Sequence, residues 1–223
     1  MTSDIDAALI VCDVQKEYEE HFTNEYICKV LEKVIEYQKE NKPVFMFWNG
    51  PELAMSTEEE YKNWLIDKFI ENNLFEVDFN EENPWQYEFD YINELFNYIT
   101  FIPKSYGSLR SAIDENYSEE TIIYLLRYML DGGDYDFNDV NFTELIFNID
   151  IKSQSEIIEL IQYINNNREY FGIDSAIYEE LNELDYSLTY NLIGGGREQC
   201  LKELYIQLVA FGYKVNIIEE LTY

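Results

Sequence analysis

YNLIGGGREQCLKELYIQLVAFGYKV, residues 190–215, reads as an apolar strand, a triple-glycine turn, a helix, a glycine stop at Gly212 and the start of another apolar strand. The first strand extends back to cover YSLTYNLI (186–193), the helix covers REQCLKELYIQLVAFG (197–212), and YKVNII (213–218) is the strand that follows. Two apolar strands joined through a helix by short turns predict a parallel βαβ unit. Three of the chain's nine glycines stand together at 194–196, and Cys200 follows in the first turn of the helix. Glycine is placed where the backbone needs dihedrals that a side chain resists, so the turn is a candidate for a functional loop.

The same alternation runs through the N-terminal half. AALIVCD (7–13) is a continuous apolar run ending in an acid, as strands buried on both faces tend to be. NEYICKVLEKVIEYQKEN (24–41) has apolar residues at helical spacing, with Asn24 as a candidate cap. VFMFW (44–48) is a second strand, and STEEEYKNWLIDKFIEN (56–72) is a helix whose Ser56 and Glu59 have capping-box spacing. ITFIP (99–103), ending at Lys104, is the third strand. From Ser111 to about Leu184 the text is mostly helical and polar. The expected fold is a single α/β domain over 1–223, a three-layer sandwich around a parallel sheet, with a helical insertion at about 111–185.

Composition narrows the function. At 223 residues, with 47% apolar and 17% aromatic content, the chain can bury a sizeable core. Its 45 acidic and 15 basic residues give a net charge of −30, which repels nucleic-acid phosphates and anionic membranes. Neither nucleic acid nor membrane is an expected partner. The N-terminus lacks the basic and long apolar segments of a signal peptide, and no apolar run approaches the ~20 residues that span a bilayer, so a cytoplasmic location is expected. Cys12, Cys28 and Cys200 are an odd set without a CxxC or Cys/His pairing, which suggests free thiols in a reducing compartment.

Ligands of parallel α/β sheets bind at the carboxyl ends of the strands. Three residues fall there: Asp13 after the first strand, Lys104 at the end of the third, and Cys200 opening the helix after the fourth. A carboxylate, an ammonium and a thiol brought to one edge would make a nucleophile with its base and a cation favouring the thiolate. The helix N-terminus behind Cys200 favours the thiolate as well.

The segments ALIVCDVQ, FIPKSYGS and IGGGREQCL, with the trailing GYKVNII, resemble the isochorismatase-like cysteine hydrolases, the group that includes nicotinamidases and N-carbamoylsarcosine amidohydrolases. The likeness spans roughly residues 5–110 and 186–220 and rests on the order of the motifs on successive strand ends. It implies that the first and fourth strands lie side by side and that Asp13, Lys104 and Cys200 are catalytic. It also implies an oxyanion hole from the backbone N–H groups of Gly196 and Cys200, and a non-proline cis peptide in the loop before the cysteine. Gln15, Gly195 and Arg197 are candidate substrate contacts. The implied reaction is hydrolysis of a C–N bond, amide or ureido, of a small molecule through a thioacyl-enzyme. Retention of Cys200 points to this chemistry and away from the vinyl-ether branch.

The nicotinamidase branch holds a metal through an Asp and histidines after the second strand, where this chain has WNGPELAM (48–55), and His21 lies elsewhere. No metal and no cofactor are expected. DGGDYDFNDVNFTEL (131–145) half resembles a calcium loop, but its turn glycine and closing glutamate are out of place. The insertion is longer than the family usually carries at that point, and the chain stops after the fifth strand, where relatives continue. The insertion could cap the site, replace a C-terminal layer or build a homo-oligomer interface. The alternative from another class is a non-catalytic descendant that acts as an acidic binding or scaffold protein.

Overall fold

Five apolar runs form one sheet in a computed structural model, which describes residues 6–49, 56–74, 96, 99–104, 119, 122–123 and 184–223. The strands are β1 (Ala7–Cys12), β2 (Val44–Asn49), β3 (Ile99–Lys104), β4 (Thr189–Gly194) and β5 (Lys214–Thr222). Every pairing is parallel and the order is β3-β2-β1-β4-β5. The chain therefore winds outward from β1 to β3, then returns to the other side of β1 with β4. The crevice between the carboxyl ends of β1 and β4 is the topological switch point of the sheet, where ligands of such folds bind.

β1 is apolar throughout because both of its faces are covered. Leu9 and Val11 join one core cluster with α1 (Asn24–Lys39) and α2 (Glu58–Glu71), while Ala8, Ile10 and Cys12 join a second with α3 (Cys200–Ala210). Helices on both faces of a parallel sheet make the three layers expected of the class. On α1, Ile27, Val30, Leu31, Val34 and Ile35 form the buried stripe at helical spacing.

The helix ends correct two details of the sequence reading. The N-cap of α1 is Thr23, whose Oγ1 accepts from the Tyr26 N–H at 3.2 Å, and Asn24 is the first helical residue. The capping box of α2 sits one residue later than expected: Thr57 Oγ1 accepts from the Glu60 N–H at 3.3 Å, and Glu60 Oε2 accepts from the Thr57 N–H at 2.8 Å. Both registers satisfy the sequence pattern. Ser56 instead bonds Glu17 from the loop after β1, which leaves the cap to Thr57.

At its other end, α3 stops as its sequence predicts. Gly212 has φ +90°, its N–H bonds the Val209 carbonyl at 3.1 Å, and the Tyr213 N–H bonds the Leu208 carbonyl at 3.0 Å. This is the double closure of a Schellman motif, with Leu208 and Tyr213 both in the α3 core cluster. Among the described residues no helix is long and apolar enough to cross a membrane. The insertion expected at about 111–185 lies outside the described residues apart from Glu119, Ile122, Ile123, Leu184 and Asp185, and the calcium-like stretch lies wholly outside them.

Candidate active site at the β1/β4 crevice

Asp13 follows β1 in the left-handed region, at φ +52°, where aspartate is among the few non-glycine residues found with any frequency. Its N–H continues the ladder to the Phe47 carbonyl at 2.8 Å, and the residue is 0% exposed. The turn of the backbone immediately after the ladder takes Asp13 out of the strand alternation. The Cys12 thiol donates to Asp13 Oδ2 at 3.6 Å, a long contact suited to sulfur. Backbone strain held in place by burial is a mark of sites built for a task.

Gln15 is wholly buried two residues on. Its Oε1 accepts from the Asn49 N–H at 2.8 Å, while Nε2 donates to the Asn49 carbonyl at 3.4 Å and to Glu17 Oε2 at 2.9 Å. The amide thus substitutes for a neighbouring strand at the end of β2 and locks the loop after β1 in place. Burial pushes the Glu17 carboxyl up, but the hydrogen bonds from Ser56 and Gln15 outweigh it and hold the group below its usual range.

Packing of the turn on β1 accounts for two of the three adjacent glycines, Gly194 and Gly195. A Cβ on Gly194 would lie 2.3 Å from the Cys12 carbonyl oxygen and 2.8 Å from Val14 Cγ2, and φ is +90°. Gly195, at φ +40°, donates its N–H to the same Cys12 carbonyl at 2.6 Å. The end of β4 therefore presses directly on the end of β1, with backbone against backbone, and side chains at Gly194 and Gly195 would strain that approach, whereas a Cβ on Gly196 would meet only the Gln199 side chain, at 3.3 Å. The Gly196 carbonyl then accepts from the N–H groups of Gln199 at 2.9 Å and Leu201 at 3.3 Å, which starts α3. Among the described residues, no backbone carbonyl accepts from the Gly196 N–H.

The family resemblance implied a cis peptide in this loop. Every described peptide bond is trans, and positive φ at Gly194 and Gly195 makes the reversal instead. Cys200 is the first residue of α3, half-buried and packed against the α3 core cluster. Its N-cap, Gln199, makes no side-chain cap bond.

Lys104, the last residue of β3, pairs in register with Asn49 of β2, so it stands at the same carboxyl edge as Asp13. It is two strands from β1, a lateral offset of about 10 Å at the usual strand spacing. The fold thus presses the glycine turn on Cys12, the residue before Asp13, begins α3 with Cys200 after that turn, and sets Lys104 further along the same edge. Arg197 turns toward β5, where its Nη1 meets Glu219 at 2.6 Å. It lines an open groove of about 420 Å³ with Lys202, Glu198, Glu119 and Tyr205.

The residue that sequence reasoning missed is Tyr223. Its Oη donates to the Asp13 carbonyl at 3.2 Å, its N–H bonds the Gly195 carbonyl at 3.4 Å, and its own carbonyl accepts from the Arg197 N–H at 2.8 Å. Burial pushes its phenol up, and the nearby Asp13, Cys12, Tyr26 and Cys200 push it further, so it stays a protonated donor. The alternation of Leu221 and Tyr223 was the available signal. Glu219 and Glu220 masked it by ending the apolar run. Among the described residues no three His, Cys, Asp or Glu side chains gather as a metal site.

The chain was compared with protein-family models, curated proteins and solved structures, and nothing in any of the three matches it.

Proposed function

We propose that the protein is an isochorismatase-like cysteine hydrolase that cleaves the C–N bond of a small amide or ureide. The observation that carries this reading is the direct contact of the glycine turn before Cys200 with the strand end that bears Asp13, at the switch point of a parallel sheet. Asp13 accepts the proton of the Cys200 thiol, and the thiolate attacks the carbonyl carbon. The Gly196 and Cys200 N–H groups hold the oxyanion, and Lys104 favours the negative charge. As the tetrahedral intermediate collapses, the C–N bond breaks and the amine leaves with the proton from Asp13, giving a thioester. Asp13 then takes a proton from water, whose oxygen attacks the thioester and frees the acid and the thiol. Neutral or cationic substrates suit a chain of net charge −30, since anions are repelled at a distance.

Gln15 contributes to this reading by holding the Asp13 loop to β2. Gly195 lies within the turn, bonded to Cys12 and Tyr223, and Arg197 pairs with Glu219 of β5, so neither is given a substrate contact in this reading. A second reading, an acidic binding or scaffold protein on the same fold, draws on the complete burial of Asp13 and Cys12.

The two are separated by the reactivity of Cys200 and by a screen for ammonia release over small amides and ureides. In the hydrolase, Cys200 is alkylated by iodoacetamide near neutral pH well ahead of an ordinary thiol of pKa about 8.5. Cys200→Ser then lowers turnover by orders of magnitude with little change in folding. Near-native turnover in Cys200→Ser rules out the mechanism, and an ordinary alkylation rate together with an empty screen favours the scaffold.

A further inference from the structure

β5 does not run straight past β4. Leu192 pairs with Ile217 but Gly194 pairs with Thr222, so two steps along β4 match five along β5. The surplus is a bulge, and bulges re-aim the side chains that follow them. Before it, Val215 and Ile217 pack with the α3 cluster; after it, Leu221 is buried in the α1/α2 cluster on the opposite face of the sheet. The Tyr26 Oη bond to the Leu221 carbonyl, 3.0 Å, fixes the new course. Tyr223 is thereby carried past the end of β4 and reaches the carbonyl of Asp13, just after β1 and 210 residues away in sequence.

We propose that Tyr223 is the residue that sets the size limit of the β1/β4 site, its ring spanning the crevice from the glycine turn to Asp13 and admitting only small acyl groups to Cys200. The inference rests on the hydrolase reading for the word acyl, and on geometry for the rest. Backbone bonds to Gly195 and Arg197 fix the residue on the β4 side. The phenol bond to the Asp13 carbonyl fixes it on the β1 side. The ring is also held laterally, stacked on His21 at 6.3 Å and edge-on to Phe22 at 5.4 Å and Tyr26 at 5.6 Å. A ring gripped at both ends and along its edges is a rigid wall, and a rigid wall discriminates by size. Burial is the main cause that raises the phenol, with Asp13, Cys12, Tyr26 and Cys200 adding to it, which agrees with its place in the crevice.

The test compares a small and a bulky thiol reagent, iodoacetamide and an N-aryl maleimide, on the full chain carrying Cys28→Ser, with the label assigned to Cys200 by peptide mass spectrometry. Tyr223→Ala is expected to speed the maleimide about tenfold or more relative to iodoacetamide, the scale on which a pocket wall discriminates. Tyr223→Phe keeps the wall and loses only the Asp13 bond, so it should keep the native ratio of the two rates. Tyr223→Leu, which retains apolar packing on Phe22 and Tyr26, gives an intermediate ratio and covers the case in which the alanine variant does not fold. An unchanged ratio in Tyr223→Leu and Tyr223→Ala overturns the proposal. No labelling of Cys200 in any variant overturns it too. The ratio is independent of the absolute rate, so a wild-type Cys200 that reacts as an ordinary thiol counts against the hydrolase and leaves the size limit standing.

Discussion

Gly194 carries two constraints at one atom, a positive φ and a missing Cβ that would overlap a backbone carbonyl of β1. Gly212 shares the same φ of +90° but has nothing within 4 Å of the Cβ position. The pair separates the cost of conformation from the cost of crowding. Gly212→Ala should cost about 1 kcal/mol, the penalty of a left-handed alanine. Gly194→Ala should cost about 3 kcal/mol or more, because backbone cannot move aside as a flexible side chain can. Urea unfolding midpoints of the two variants check this, and equal shifts would mean that the close approach of β4 to β1 is not what requires glycine. Asp13 stands in the same region of dihedral space with a side chain, and Asp13→Asn retains its tolerance of that conformation, so this variant removes the proposed base while the fold is kept.

At the scale of elements, the helices are held by local devices and the sheet by distant ones. The capping box assigns α2 to Thr57, and Ser56 to the loop after β1. Thr57→Ala is therefore expected to lower stability by about 1 kcal/mol and Thr57→Ser by much less, since a serine hydroxyl makes the same bond. Thermal unfolding followed by circular dichroism measures both, and an equal loss in the two variants would show that the hydroxyl is not what caps the helix. The β5 bulge behaves differently. It changes the face that Leu221 packs on, and that switch is what brings Tyr223 to the crevice.

For the molecule as a whole, four buried or half-buried tyrosines set an alkaline limit. Burial raises the phenols of Tyr26, Tyr190, Tyr213 and Tyr223, Tyr190 to about 12. An acid whose folded pKa is raised keeps its proton in the native state while the unfolded chain has already lost it. The stability linked to these groups is therefore fully present below about pH 10, the ordinary tyrosine value, and is lost as pH rises through the folded values. Denaturant midpoints should fall steeply above about pH 10 while phenolate absorbance appears in step with unfolding. A midpoint that stays flat across that range would mean that these phenols are not held protonated by the fold.

The sequence alone determined the alternation of strands and helices and placed Asp13, Lys104 and Cys200 at strand or helix ends, because periodicity, capping pattern and the glycine stop at Gly212 act within a few residues. The first helix could be read to within a residue at its start, and the α2 cap was shifted by one because two hydroxyl residues in a row fit the same pattern. Only the tertiary structure decided why Gly194 and Gly195 are glycines, which is the pressure of β4 on the Cys12 carbonyl. Gln15 looked like a substrate contact in sequence, and the fold engages its amide with Asn49, 34 residues on. Tyr223 had only a faint local mark, its alternation with Leu221, which Glu219 and Glu220 masked. Its place beside Asp13 arises from a bulge that changes register between β4 and β5, and register is set by the packing of whole sheet faces, which no short window of sequence contains.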